Sequence, residues 1–184
     1  MKFFRHLDKI ALVVAGSVST LVFMDASQEI GAPMTAGFEG TVLENYYDSV
    51  GVETWCTGET LVGYREDGEY TKEECDAIWK ARYPQYSAKV YACYSSEMKN
   101  HVTAGMHAGL TDISYNTGAT CNTGMMRALK RGEPVEACKY MLKYKYAGGR
   151  DCSIRSNNCY GVWTRRKAFY EICIKEAREL ENSR

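Results

Sequence analysis

The sequence predicts an α+β protein, with a small antiparallel sheet lobe followed by a larger helical lobe. Three observations carry that prediction. Thr, Tyr, Val and Trp crowd into Tyr46–Tyr70, where Val50-Gly51, Thr57-Gly58 and Asp67-Gly68 cut the run into hairpin-length pieces. From about Ser87 onward, caps and breakers punctuate a helical pattern. At 184 residues the chain is one globular unit, long enough to bury about two-thirds of its unfolded surface.

Taken in order, the first nine residues carry Lys2, Arg5 and Lys9 against Asp8, and Ile10–Met24 then runs without a charge until Asp25. As a helix this stretch reaches about 22 Å, short of a ~30 Å hydrocarbon core, and Gly16, Ser17, Ser19 and Thr20 dilute it. Three readings are open: a cleaved signal peptide, a stable anchor, or a weak anchor that leaves the membrane uncleaved. The basic flank argues against a buried core helix and sets the N-terminus inside, with the remainder outside. Gln28–Thr35 reads as a connector, and Pro33 as the opener of a helix reaching Asn45, with Glu39 in its middle. Residues 1–31 thus form a signal-anchor and connector, and 32–184 the folded domain, split into a sheet-bearing lobe (32–86) and a helical lobe (87–184).

Thr71-Lys72-Glu73-Glu74 is a capping box that starts a helix expected to stop near Pro84. A helix follows over Ser87–Tyr94. Thr103 caps another through Tyr115, closed by Asn116-Thr117-Gly118. A short helix covers Asn122–Lys130, Pro134 opens the next, and Gly148-Gly149 close it. Cys152–Cys159 reads as a polar loop, and Val162–Asn182 as a final helix whose Arg165 and Arg166 lie on a solvated face with a structural ion pair.

Eight cysteines, an even number behind a membrane-targeting start, indicate an oxidising compartment and a disulfide framework. No C-x-x-C occurs, and His6, His101 and His107 do not sit at zinc spacing from cysteines, so no metal is expected. Eight cysteines allow 105 connectivities, which the sequence leaves open; the pairing we expect starts with a local Cys152–Cys159 bridge across the polar loop. Cys138–Cys173 would join two packed helices and Cys56–Cys75 a strand to the next helix, which leaves Cys93–Cys121. Basic and acidic residues balance at 23 each, so no overall field draws the chain to nucleic acid.

The chemistry gathers in Phe38–Gly58. Glu39, among Phe38, Val42 and Leu43, has the surroundings of a partly desolvated acid with a raised pKa. Asp48, beside Tyr46, Tyr47 and Ser49, has those of a carboxylate that stays ionised. Thr54 offers a hydroxyl that can hold a water. A proton donor facing a charged carboxylate is what glycosidic cleavage needs. Glu39, Gly40, Leu43, Tyr46, Asp48, Gly51 and Thr54 stand as EG-x-x-L-x-x-Y-x-D-x-x-G-x-x-T, and this pattern resembles the phage-type lysozymes, glycoside hydrolase family 24. Asp112–Gly118, with Tyr115 at an aromatic position, looks like the family's cleft segment. Lys145–Gly149 and Gly161-x-x-x-Arg165-Arg166 look like its later Gly-Gly and G-x-x-x-RR features.

That resemblance implies a lysozyme-like fold and an inverting N-acetylmuramidase acting on peptidoglycan as a monomer without a cofactor. Glu39 would be the general acid, Asp48 and Thr54 would direct water, and Tyr115 and Asn116 would contact sugar. It also favours the weak anchor, because Ile10–Met24 is similar to the signal-arrest-release segments of some lambdoid phage endolysins. The enzyme would then be held at the inner membrane through residues 10–24 and later be periplasmic. Two departures stand out. Glu59 follows Gly58 where many relatives have a histidine buttressing the hairpin, which puts an extra acid at the cleft rim, and the anchor has no cysteine. The alternatives are a lytic transglycosylase and a non-catalytic wall-binding domain.

Overall fold

Helix α1 spans Ser17–Glu39 in the computed structural model, which describes residues 17–48 and 51–183. Its described part therefore takes in the second half of the expected anchor and runs through the expected connector. Residues 10–16 of that anchor lie outside the described residues. Every fourth side chain from Phe23 (Phe23, Ser27, Gly31, Thr35) is buried, which turns one narrow stripe toward the core. Small residues let α1 lie close: a Cβ on Gly31 would meet the Tyr83 hydroxyl at 1.8 Å. Phe23 itself is fully buried, with its ring 5.4 Å from that of His107 and 6.3 Å from that of Tyr91, so this residue joins the core despite the basic flank.

Pro33 lies inside α1 and does not open it. An interior proline costs a helix about 3 kcal/mol. Tertiary contacts on both sides hold the turn: the Trp79 indole N–H donates to the Ala32 carbonyl at 2.8 Å, and the Thr35 hydroxyl to Asp112 at 2.9 Å. The helix stops at Glu39 and not at Asn45, because Gly40 turns the chain with φ +77°. Among the described residues no helix is long and apolar enough to cross a membrane.

Strand β1 (Val42–Tyr47) pairs antiparallel with β2 (Glu53–Cys56), with Tyr46 opposite Thr54. Residues 68–70 extend the other edge of β1: the Asn45 N–H donates to Gly68 at 3.0 Å and the Tyr70 N–H to Leu43 at 2.8 Å. This lobe has a core of Trp55, Cys56, Tyr70 and Cys75, with Ile78 against it.

Helix α2 (Lys72–Tyr91) starts at the predicted Thr71 capping box but continues through Pro84, merging two expected helices into one that links the lobes. Trp79, Tyr83, Ser87 and Val90 are buried along it, and their packing offsets what the proline removes. Then follow α3 (Ser96–Lys99), α4 (Ala104–Thr117), α5 (Gly124–Lys130), α6 (Pro134–Met141) and α7 (Tyr160–Asn182). Thr103 caps α4 and Gly118, with φ +72°, ends it as predicted. Gly148 and Gly149 do not close α6. They form the turn of a two-residue hairpin, β3 (Tyr146–Ala147) and β4 (Arg150–Asp151).

The four bridges are Cys56–Cys75, Cys93–Cys121, Cys138–Cys173 and Cys152–Cys159, the pairing expected from the sequence. Charge, balanced over the whole chain, is segregated along it. Residues 39–76 hold eleven acidic and two basic side chains, whereas residues 77–167 hold fifteen basic and five acidic.

Candidate active site

Glu39 sits on the last turn of α1, where the helix hands the chain to the sheet lobe. Its carboxylate accepts from the Arg165 guanidinium, carried by the second turn of α7. Arg165 Nε also donates to both oxygens of Asp112 on α4, at 2.8 and 3.1 Å. Arg166 donates to the same Asp112 carboxylate, to the Tyr144 carbonyl at 3.0 Å and to Asn116 Oδ1 at 2.5 Å. Asp112 and Arg166 are each 1 % exposed. Four charges of alternating sign, Glu39, Arg165, Asp112 and Arg166, are thus threaded through three helices and compensate one another, as buried charges must. Burial disfavours the charge on Arg165, but Asp112 and Glu39 outweigh that and hold its pKa above the ordinary value.

The sequence predicts for both arginines a solvated face with a structural ion pair; the ion pair is there, the solvated face is not. The arginines are buried because α7 turns this face toward the lone acid of α4. The sequence also places Glu39 in apolar surroundings. Phe38, Val42 and Leu43 are instead 38–42 % exposed, and the nearest partner of Glu39 is a cation. Asp112 itself was given no role. The signal was there, since it is the one charged residue between Asn100 and Met126, and a carboxylate inside so long an uncharged stretch needs a partner.

Asp48 follows β1 and organises the turn: its Oδ1 accepts the Val52 N–H at 2.9 Å, while its backbone N–H donates to Val52 at 2.9 Å. Ser49, expected beside it, lies outside the described residues. Thr54, nearly buried on β2, donates its hydroxyl proton to the Val52 carbonyl at 2.9 Å, which leaves its oxygen able to accept from a water. The hairpin register puts Tyr46 opposite Thr54. Its pKa is raised by burial and then by the charges of Glu39 and Asp48.

Tyr115 is half-buried. Its hydroxyl donates to the Thr57 carbonyl at 3.0 Å, and its ring meets those of Trp79 at 5.1 Å and Tyr86 at 5.0 Å, both edge-on. Asn116 is exposed and lines a pocket of about 340 Å³ beside Glu39, with Phe38, Asn158, Cys159 and Arg165 among its walls. Glu59 is not a free acid at the rim. It is 7 % exposed and paired with Arg82 of α2 at 2.7 Å. Among the described residues no group of three or more His, Cys, Asp or Glu side chains is placed to hold a metal.

Compared with known families, residues 36–168 match the model of the phage lysozymes, which takes in Glu39, Asp48, Thr54, Asp112 and both arginines. The chain belongs to the phage lysozyme family. As a phage lysozyme it is 33 % identical to the SAR-endolysin of Escherichia phage 933W over 138 residues, 70 % of this chain and 73 % of that one. With the SAR-endolysin of Enterobacteria phage P21 it shares 29 % identity over 140 residues, 75 % of this chain and 78 % of that one. The active form of the P1 phage endolysin Lyz superposes with a TM-score of 0.61 at 18 % identity, over 89 % of this lysozyme and 96 % of that structure, a likeness of fold.

Proposed function

We propose that this phage lysozyme is an endolysin that hydrolyses the β-1,4 bond between N-acetylmuramic acid and N-acetylglucosamine in peptidoglycan. The observation that carries the reading is the match of residues 36–168 to the phage lysozymes, with Glu39 at the end of α1 and Asp48 and Thr54 on the hairpin that follows. In this reading Glu39 gives its proton to the glycosidic oxygen as the bond to the anomeric carbon breaks. Asp48 takes a proton from a water that adds to that carbon, and Thr54 accepts a hydrogen bond from the same water and aims it. Arg165 holds the Glu39 carboxyl group in place and stabilises it after the proton has left. Asn116, whose oxygen is taken by Arg166, has its amide N–H groups to offer a sugar in the adjoining pocket. Tyr115, with its hydroxyl engaged, supports the cleft wall more than it stacks on sugar.

Glu39→Gln keeps the shape and removes the proton donor. On a peptidoglycan zymogram it should lose ~10²–10⁴-fold of the lytic activity with the fold unchanged. Wall digestion by that variant at near the parent rate would refute the assignment. The products separate the alternatives: new reducing ends for hydrolysis, anhydro-muramic ends for transglycosylation, and no cleavage for a binding domain.

The reading extends to the N-terminus. Residues 10–24 would first sit in the inner membrane and later leave it, with the first part of α1, from Ser17 to Met24, as the docked state of their described residues. Leu21 and Val22 stay exposed there, 70 and 50 %, while Phe23 is covered. Cell fractionation after depolarisation should then find soluble protein with an intact N-terminus. A soluble form beginning near Ala26 would mean a cleaved signal peptide.

A further inference from the structure

The Glu59–Arg82 pair belongs to a closed circuit that ties the hairpin to the helices. Glu59 Oε1 accepts three successive backbone N–H groups, Thr60 at 2.9, Leu61 at 2.7 and Val62 at 3.3 Å, which fixes the loop after β2. Its other oxygen takes Arg82 Nε at 2.7 Å. The Arg82 guanidinium lies 5.7 Å from the ring centroid of Tyr86, and Tyr86 meets Tyr115 edge-on at 5.0 Å. The Tyr115 hydroxyl returns to the Thr57 carbonyl at 3.0 Å, two residues before Glu59. There is no room for slack where the circuit closes: a Cβ on Gly58, already at φ +71°, would stand 2.6 Å from the Tyr115 hydroxyl.

We infer that Glu59 and Arg82 are positioning residues for the reaction, which hold the hairpin bearing Asp48 and Thr54 at its working distance from Glu39. The inference rests on the catalytic roles proposed above and adds the device that sets their spacing. Thr54 lies on β2 five residues before Glu59, and Trp55 and Glu59 exchange backbone hydrogen bonds at 2.9 and 3.0 Å, so a shift of Glu59 moves the strand that carries Thr54. The opposite end of the circuit is anchored in α2 and α4, the second of which carries Asp112 and, through Arg165, holds Glu39. Both partners of the pair are largely covered, 14 and 7 % exposed, so neither charge can be left alone cheaply.

The test compares Glu59→Gln, Arg82→Lys and the two together with the parent, on soluble peptidoglycan fragments, at a temperature where circular dichroism finds all of them folded. Glu59→Gln keeps an oxygen for the three amides and loses the ion pair. Its kcat should fall about tenfold with KM within twofold, because misplacing a catalytic group weakens the transition state more than binding. Arg82→Lys keeps the charge opposite Glu59 and should lose much less than Glu59→Gln, and the double variant should be no worse than Glu59→Gln alone. Amide exchange of residues 54–62 should quicken in step with the fall in kcat. Folded variants with parental kcat and unchanged exchange would overturn the inference, as would a rise in KM at constant kcat. If Glu39→Gln proved active, the catalytic reading would fall by itself, and exchange over 54–62 would still decide whether the pair holds the hairpin.

Discussion

The two lobes are held together by different means. Among the described residues the helical lobe has a core of twenty-one buried residues running from Phe23 to Ala177, with Asp112, Arg165, Arg166 and His107 folded in beside it as paired groups. The sheet lobe has four buried core residues and leaves Tyr47 and Leu61 more than 70 % exposed. A two-stranded hairpin with so little to bury is marginal in water. What holds it are discrete fastenings to its neighbours: the Cys56–Cys75 bridge, the Glu59–Arg82 pair, and the Tyr115 hydrogen bond. Glu39 belongs to the packed side, Asp48 and Thr54 to the fastened side. Activity should therefore be lost by loosening a few contacts well before the protein unfolds.

The largest effect is expected where packing and charge meet. Asp112→Ala leaves Arg165 and Arg166 buried without their shared acid. It should cost ~3–5 kcal/mol, read as a fall in urea midpoint for the whole fold, and abolish lysis with it. Next comes the covalent fastening. Replacing Cys56 and Cys75 by Ser should cost ~2–4 kcal/mol. Amide exchange should place the damage in the sheet lobe, leaving α4 to α7 protected; uniform loss of protection would erase the distinction between the lobes.

A third expectation is a pH dependence that belongs to the helical lobe alone. His107 is fully buried between Ser87 at 2.9 Å and Tyr94 at 2.8 Å, and burial lowers its pKa to about 3 from 6.5. Only the unfolded chain binds this proton between those values, so the stabilisation is complete above pH 6.5 and is lost as pH falls toward 3. Between pH 7 and 5 the loss should be ~2 kcal/mol, and His107→Gln should flatten that part of a stability–pH curve. The smallest effect is Thr71→Ala, which removes the side-chain acceptor for the Glu74 N–H and should cost ~1 kcal/mol, felt first in the sheet lobe that α2 adjoins.

Local chemistry was the legible part of the fold. Thr71 and Thr103 cap helices, Pro134 opens one, and Gly118 closes one in the left-handed region, since each acts within a turn of itself. The motif from Glu39 to Thr54 was legible for a similar reason: its offsets encode a helix end followed by a hairpin. Pro33 and Pro84 misled because local preference makes them breakers, while packing around Trp79, Tyr83 and the Gly31 stripe carries both helices through. Arg165, Arg166 and Glu59 read as surface charges because their partners lie 23 to 126 residues away in the chain. Long-range pairing of charges leaves no periodic mark in a sequence.

The segregation of charge has a consequence for how the molecule handles itself in solution. A formal net charge of zero suggests a particle indifferent to electric fields, yet it conceals an acidic stretch at 39–76 and a basic one at 77–167 that can attract their counterparts on a second molecule. At about 0.01 M salt, where the screening length is ~30 Å, the acidic stretch of one molecule should attract the basic stretch of another, read as a rise in light scattering. At 0.15 M the screening length drops to ~8 Å and the molecules separate. The same segregation lets one protein adhere to both anion- and cation-exchange resins at low salt, which its isoelectric point near 6.8 would never suggest.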